Sequence, residues 1–490
     1  MKSAKRPNIL IVMTDQQRAD AVSLASDGWT PHLAAFAKDA VNFSETYCPS
    51  PHCCPSRTTF FTGLYPSRHG VWNNILNGQA LTLDPRPGTP MWSTELARMG
   101  YDLHFSGKWH VASATTPKDY GWREHFVSAV AGRDYHGPKW EDYQRHAQGG
   151  AATGSRVPGV ISRPGYPDKP LYATLPVGSK LGHDESVLEG ALEALDQVRE
   201  NPDQPWAIYA GFFAPHDPYT ISREWLDRVP DEAVTLPPSY SDEMHDKPAI
   251  YRRVREQIWG QLSPEEAREA RRHYLASCAY NDAQFGRLLE RVKAIGAEND
   301  TLVIFISDHG DYAGDHGLFT KGIAAFRGAY HVPAFVRWPG GGIGGGRVCS
   351  ELVSLADFGP TILDLVGIDS STTAFSGRSL SPLLRGHAVP GWREFLATQC
   401  NGVELGYSQR AIFNKDWKYV FNGFDYDELY DLRTDPHELV NLATRAEHRE
   451  TIRGLCRRLW QMAHAENDTM INDYYTVGLA PFGPAQAFSD

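Results

Sequence analysis

A chain of 490 residues with 41% hydrophobic and 22% charged residues exceeds one simple core and suits a large domain joined to a smaller one. Its net charge of -11 argues against a polyanion-binding surface and so against nucleic acid, and no apolar run approaches the roughly 20 residues that span a bilayer. Seven cysteines without repeating spacing indicate free thiols, and the short basic start runs directly into Asn8-Ile9-Leu10-Ile11-Val12-Met13 without a signal-peptide pattern, so a cytoplasmic location is expected.

In chain order, short apolar runs predict strands at Ile9–Met13, Val41–Glu45, Asp102–Phe105, Trp206–Gly211, Leu302–Ile306 and Val332–Arg337. Amphipathic segments lie between them, including Thr94–Met99 and Ser186–Arg199. The clearest helix opens at Ser263-Pro264-Glu265-Glu266, where serine caps, proline suits the first turn and Glu266 completes a capping box; it closes near Gly296. Strands alternating with helices predict an α/β sheet, mostly parallel and covered on both faces. Gln148–Pro170, rich in Gly, Pro and Ser, reads as an irregular excursion, and Pro339–Gly346 as a surface turn. Past residue 386, strand-like pieces at Ala411–Asn414, Lys418–Phe421 and Glu428–Leu432 precede a helical run, Glu447–His464. Two domains are expected, 1–385 and 386–490, the second a small antiparallel sheet with a helix.

In a sheet wired this way, ligands bind beyond the carboxyl ends of the strands. Polar clusters fall there four times: Asp15-Gln16, Gly107-Lys108-Trp109-His110, Pro215-His216-Asp217-Pro218 and Ser307-Asp308-His309-Gly310. Asp15, Asp308 and His309, with the Gln16 amide oxygen, make a donor set for a hard divalent cation. Asp315-His316 competes but does not follow a strand, which puts it one layer out. Cys53 precedes Pro55, a residue suited to the first turn of a helix, whose N-terminal field stabilises negative charge. Arg57, four residues on, shares that helix face and can reach back toward an oxyanion.

The stretch Cys53-Cys54-Pro55-Ser56-Arg57, continued to Thr62-Gly63, resembles the signature of the type I sulfatases. So do Asn8-Ile9-Leu10 leading to Asp15, Gly107-Lys108-Trp109-His110, Pro215-His216, Ser307-Asp308-His309-Gly310 running to Lys321, and the tail Glu428-Leu429-Tyr430-Asp431-Leu432 with Asp435-Pro436 and Asn441-Leu442. These motifs come in the family's order along nearly the whole chain. The resemblance implies the alkaline phosphatase-like fold, with a large mixed, mostly parallel sheet flanked by helices and a small C-terminal antiparallel domain. It implies that Cys53 is oxidised to formylglycine, whose hydrate is the nucleophile held on a divalent metal by Asp15, Gln16, Asp308 and His309. Calcium is the first choice of ion, with manganese or magnesium behind it.

The same resemblance implies hydrolysis of a sulfate monoester of a carbohydrate, alkyl or aryl alcohol. Asp308 is then placed to take the nucleophile's proton, Arg57, Lys108 and Lys321 to neutralise the sulfuryl oxygens, and His216 to protonate the leaving alcohol with Lys321 as its rival. His110 assists release of sulfate. Asn73 joins Lys108, His216 and Lys321 as a substrate contact. Glutamine at position 16, where many members carry a second aspartate, also occurs in the phosphonate monoester hydrolase branch, which makes phosphonate monoester or phosphodiester hydrolysis the alternative. An unmodified anion-binding relative is the third reading. The implied partners are a small sulfate ester and a maturation enzyme, either formylglycine-generating or anaerobic sulfatase-maturing, with neither nucleic acid nor membrane. Trp122, Arg133, Asp134, Tyr135, His136 and Trp140 are candidates for binding a sugar at the pocket mouth.

Overall fold

The computed structural model describes residues 6–25, 28–129, 140, 141, 143, 144, 156–162, 167–369, 373–403, 405–472 and 474–488. Its main sheet uses β1 (Asn8–Thr14), β2 (Val41–Phe43), β3 (Asp102–Lys108), β4 (Arg123–Ser128), β5 (Trp206–Gly211), β6 (Thr301–Ser307), β7 (Ala334–Arg337) and β8 (Arg347–Cys349). Their spatial order is β8-β2-β7-β6-β1-β5-β3-β4. β1 lies at the centre, parallel to β6 on one side and β5 on the other, while β7 runs antiparallel to both its neighbours. The six apolar runs of the sequence all enter this sheet.

Alternation along each strand sorts the core into two faces. Ile9, Ile11, Met13, Phe105 and Tyr209 pack with Phe60 and Phe61 of helix α1 (Cys53–Thr62). Leu10, Val12, Ile208, Val303 and Phe305 pack instead with Val187, Leu188 and Leu195 of α2 (Gly182–Val198) and Phe285 and Leu288 of α3 (Pro264–Ala294). Helix α3 opens on the capping box expected from sequence, Ser263 accepting from Glu266 N and Glu266 accepting from Ser263 N. Because α3 covers the strands from behind, its Tyr274 hydroxyl donates to Gln16 O and accepts from Arg18 N, fixing the turn after β1.

A separate four-stranded antiparallel sheet, in the order Leu396–Cys400, Gln409–Phe413, Trp417–Asn422, Glu428–Asp431, carries helix α4 (Arg449–Ala465). Ile452, Leu455, Cys456, Leu459 and Trp460 of that helix, at helical spacing, bury against Ile412, Tyr419, Phe421 and Leu429. The small sheet meets the large one through short links near the strand ends: Gln399 N donates to Pro49 O at 2.6 Å, and the Tyr407 hydroxyl donates to Gly322 O at 3.1 Å. No helix among the described residues is long and apolar enough to cross a membrane.

Two buried histidines link this packing to pH. His69 accepts from Val71 N through Nδ1 and lies 3.1 Å from Thr59 Oγ1 through Nε2. His52 precedes α1. Burial pushes both down to about 3, with Lys321 and His309 adding to the effect at His52. Depressed native values mean that the unfolded chain takes up more protons as pH falls below its own value of about 6.5. Stability therefore falls on acidification, by up to about 2 kcal/mol per histidine at pH 5. Thermal melts at pH 7 and pH 5 are expected to show a drop of several degrees, and His69→Gln is expected to flatten that slope.

Candidate active site

The site forms where the carboxyl ends of β1, β3, β5 and β6 converge on the start of α1. β1 ends directly before Asp15, and β6 directly before Asp308 and His309. Helix α1 begins at Cys53 itself, with Pro55 in its first turn and Gly63 at its left-handed C-terminal cap. Cys53 Sγ lies 3.2 Å from His309 Nε2 and 3.7 Å from Asp15 Oδ1. Ligand atoms of Asp15, Cys53, Asp308 and His309 all fall within 4.8 Å of one another, and all four residues are buried. His309 Nδ1 faces the Gly310 carbonyl at 2.8 Å, an acceptor only, so Nδ1 carries the proton and Nε2 presents its lone pair to the group. Two carboxylates and a lone-pair nitrogen fit a divalent cation, with the Cys53 sulfur standing where an oxygen of the aldehyde hydrate would sit.

Arg57 was expected to reach toward an oxyanion. The structure instead commits it to the protein: Nε donates to Asp308 Oδ2 at 2.8 Å, Nη2 to Asp15 Oδ2 at 3.0 Å, and Nη1 to Lys108 O and the Tyr209 hydroxyl, each at 3.0 Å. Fully buried, it sets the spacing of the two carboxylates from below. Ser56 Oγ adds a hydrogen bond to Asp308 O. Lys108 ends β3 with Nζ 2.5 Å from Asp15 Oδ2. Gly107 allows this approach: its φ is +129°, and a Cβ there would meet Gly211 O at 2.2 Å.

Burial raises Asp15, as does Cys53, but Lys108, His216 and Arg57 outweigh them and hold its carboxylate well below the ordinary range. Asp308 is raised, by burial first and by Asp15 next. Burial also raises the Cys53 thiol, yet Lys108, Lys321 and His309 pull it well below its usual value. The adjacent Cys54, pushed well up by burial and by Cys53, accepts from Ile75 N and behaves as core. Two neighbouring thiols thus face opposite environments.

His110 is buried, has a positive φ of 54°, and turns its ring to the Cys53 side chain. Burial and then Lys108 push it down to about 4, so it is neutral near pH 7. A buried imidazole is costly unless a polar group meets it, and here the Cys53 side chain does. Across the site, His216 Nε2 lies 2.9 Å from Lys321 Nζ, while its Nδ1 donates to Asp217 O at 2.7 Å. Lys321 also donates to Gln16 Oε1 at 2.6 Å.

That contact gives Gln16 a role its sequence position did not suggest. Its amide oxygen takes Lys321, its nitrogen donates to Asp311 Oδ2 at 2.6 Å and Asp217 Oδ1 at 3.3 Å, and its backbone N donates to Asp308 Oδ1 at 3.0 Å. With φ of 68°, Gln16 turns the chain so that its side chain reaches Lys321. Asn73 also differs from expectation: its amide donates to Gln79 O and accepts from Leu81 N, both at 2.9 Å, which closes the loop after Trp72. Its neighbour Asn74 touches the nucleophile's helix, accepting from Cys54 N at 3.1 Å.

Sequence reasoning also missed Asp311, fully buried, pushed up to about 6 by burial and bonded to the Tyr219 hydroxyl at 2.6 Å. Its place three residues after Asp308 was the available signal. Asp315 pairs with Arg18 and His316 with Asp242, each at 2.7 Å, one layer outside the site. Trp122 belongs to the core, edge-on to Trp92 and Phe105, and is not a sugar platform. Trp140 is 71% exposed. Arg133, Asp134, Tyr135 and His136 lie outside the described residues.

The family model described as Sulfatase matches residues 7–368, and that of the N-sulphoglucosamine sulphohydrolase C-terminal region matches residues 314–465. The chain is 31% identical over 469 residues to the choline-sulfatase of Rhizobium meliloti, covering 89% of this chain and 82% of that one. Its fold matches a structure solved in complex with its substrate D-glucosamine-2-N,6-O-disulfate at TM-score 0.72 and 19% identity, covering 95% and 99% of the two chains. It matches the phosphonate monoester hydrolase of Agrobacterium radiobacter at TM-score 0.73 and 24% identity, covering 94% and 96%. With the alkaline phosphatase-like fold in place and the family model spanning most of its length, the chain belongs to the sulfatase family and is an enzyme of sulfate ester hydrolysis.

Proposed function

We propose that the enzyme cleaves a small sulfate monoester using formylglycine formed from Cys53 and a divalent cation held by Asp15, Asp308, His309 and residue 53. One observation carries this reading: the buried meeting of Cys53 with those three residues, beside Lys108 and His110. The cation would neutralise charge and make a hydroxyl acidic enough to act near neutral pH. The aldehyde hydrate would supply two hydroxyls on one carbon, one to attack sulfur and one to drive release afterwards.

The chain's own residues do the rest. Lys108 and Lys321 place positive charge where sulfuryl oxygens gather negative charge, the preorganised contribution that usually dominates such catalysis. Arg57 favours the ionised forms of Asp15 and Asp308 and sets their spacing. The proton for the leaving alcohol lies on the Lys321–His216 pair: His216 Nε2 accepts from Lys321 Nζ at 2.9 Å, so Lys321 carries the proton and His216 orients it. Neutral His110 accepts the proton from residue 53 as sulfate departs. Gln16, expected as a further ligand through its amide oxygen, also orients Lys321 through that atom.

Calcium is proposed first, with manganese or magnesium as rivals. The name of the Rhizobium relative adds choline sulfate to the aryl and carbohydrate sulfates worth testing. Also proposed are a folding boundary near residue 385, maturation by a formylglycine-generating or anaerobic sulfatase-maturing enzyme, and a cytoplasmic location. Dialysis against a chelator is expected to lower turnover about 10³-fold, with recovery on adding one of the three ions. The phosphonate reading rests on Gln16. An aryl sulfate and the matched phosphate diester, compared at equal concentration, decide between them: the sulfate is expected to be preferred, and a strong preference for the diester would sink the sulfatase assignment.

A further inference from the structure

The two halves of the candidate site, the Lys108–His110 turn and the His216 turn, follow different strands, β3 and β5. A hydrogen-bonded chain outside the site joins them. Ser128, the last residue of the edge strand β4, has Oγ 2.7 Å from His183 Nε2. His183 Nδ1 lies 2.9 Å from Asp184 Oδ1. The carboxylate of Asp184 then accepts from Phe213 N at 2.7 Å and Ala214 N at 2.9 Å. At the other end, Ser128 O accepts from Trp109 N at 3.0 Å, and Ala129 O accepts from His110 N at 3.1 Å.

His183 Nδ1 donates to the Asp184 carboxylate, and Nε2 pairs with the Ser128 hydroxyl. Asp184 is buried, and both its oxygens are taken by the backbone that leads into Pro215 and His216. Between the two ends lies Phe213. Its ring is 5.3 Å from Lys108 Nζ, 4.7 Å from the His216 ring and 5.6 Å from the His183 ring. The His183 side chain keeps 30% exposure, so the strap runs along the rim of the site rather than through the core.

We propose that Ser128, His183 and Asp184 are positioning residues for the sulfate ester hydrolysis: a strap that sets the separation between the Lys108–His110 turn and the His216 turn. The sulfuryl group and the leaving oxygen are one bond apart, so the groups serving them must keep a fixed spacing; β3 and β5 pair side by side only as far as Gly107 and Gly211, and the strap ties the two turns beyond that point. Small misplacements of such groups cost rate steeply. None of the three residues touches substrate in this scheme. The consequence for turnover rests on the sulfatase reading proposed above; the strap itself does not.

The test uses the full chain carrying the aldehyde, with Ser128→Ala, His183→Phe, the double variant and Ser128→Thr, assayed on an aryl sulfate and by hydrogen exchange. Ser128→Ala keeps the backbone carbonyl, and His183→Phe keeps a ring beside Phe126 and Phe213. Each single variant is expected to lower kcat/KM about tenfold, the double no further, and Ser128→Thr to recover most of it, because both changes cut one chain. Amide exchange in segments 105–112 and 211–218 is expected to quicken about fivefold in Ser128→Ala while the melting temperature holds. Variants within twofold of the parent, or single effects that multiply in the double, would overturn the proposal. Should the parent fail to cleave any sulfate, the sulfatase reading fails, and exchange alone decides the strap: unchanged exchange in either segment refutes it.

Discussion

Replacing Cys53 with alanine is expected to lower kcat on any substrate by about 10⁵-fold while leaving the melting temperature within a few degrees. The first part follows because, among the described residues of the site, the other groups already have ligand, ion-pair or proton-transfer roles. Lys108 and Asp15 neutralise one another 2.5 Å apart, His309 has a ligand's tautomer, and Arg57 is enclosed. The second part follows because Cys53 contributes a hydroxymethyl-sized side chain to a polar wall. Cys54→Ser is the paired control. Its sulfur lies in a small apolar cluster with Val71, Ile75 and Leu76, so a hydroxyl there should cost stability, about 1–3 kcal/mol, and leave turnover nearly intact. Opposite profiles at adjacent positions would separate a chemical thiol from a packed one. Steady-state kinetics and thermal melts on the two variants are the measurements. Equal losses of activity at 53 and 54 would mean that the helix start, not the nucleophile, had been damaged.

The largest effect on stability is expected at Arg57. Arg57→Leu removes the only guanidinium bridging Asp15 and Asp308 among the described residues and leaves two carboxylates in a fully buried site. Breaking a buried pair in this way costs about 3–5 kcal/mol, far more than losing a surface ion pair. The loss should shrink when a divalent cation is added, because a metal among the same carboxylates supplies the missing positive charge. Denaturant titration of Arg57→Leu with chelator and with calcium measures both numbers. A variant as stable as the parent in chelator would show that Arg57 does not hold the carboxylates together. Turnover should fall as well, through displaced ligands rather than a lost substrate contact, and so should not be restored by raising substrate concentration.

Asp15, Lys108, His216, Asp308 and His309 were legible because strand ends are legible: an apolar run stops, a polar cluster follows, and a parallel sheet carries all such clusters to one edge. Cys53 was legible for a different reason, since the motif around it belongs to a helix start whose geometry proline, serine and arginine fix locally. What the sequence hid is where side chains point once they arrive. Asn73 stands beside the residues it was expected to join, yet loop closure sends its amide elsewhere, and the Gln16 amide also takes Lys321. Arg57 shares a helix face with Cys53, but that face looks down onto carboxylates from two other strands, contacts about 250 residues away in the chain in one case. Trp122 reads as a surface aromatic in a polar stretch and is core, because β4 adds an edge to the sheet that its weak apolar pattern does not announce.

Everything chemical in this account depends on what position 53 carries in the working enzyme. Mass spectrometry of the tryptic peptide ending at Arg57, taken from protein made in its native host, tests it most directly. The expected peptide is lighter than the thiol form by the difference between CH2SH and CHO and forms a hydrazone with an aldehyde-reactive probe. An unmodified thiol in native-host protein that turns over a sulfate ester would contradict it.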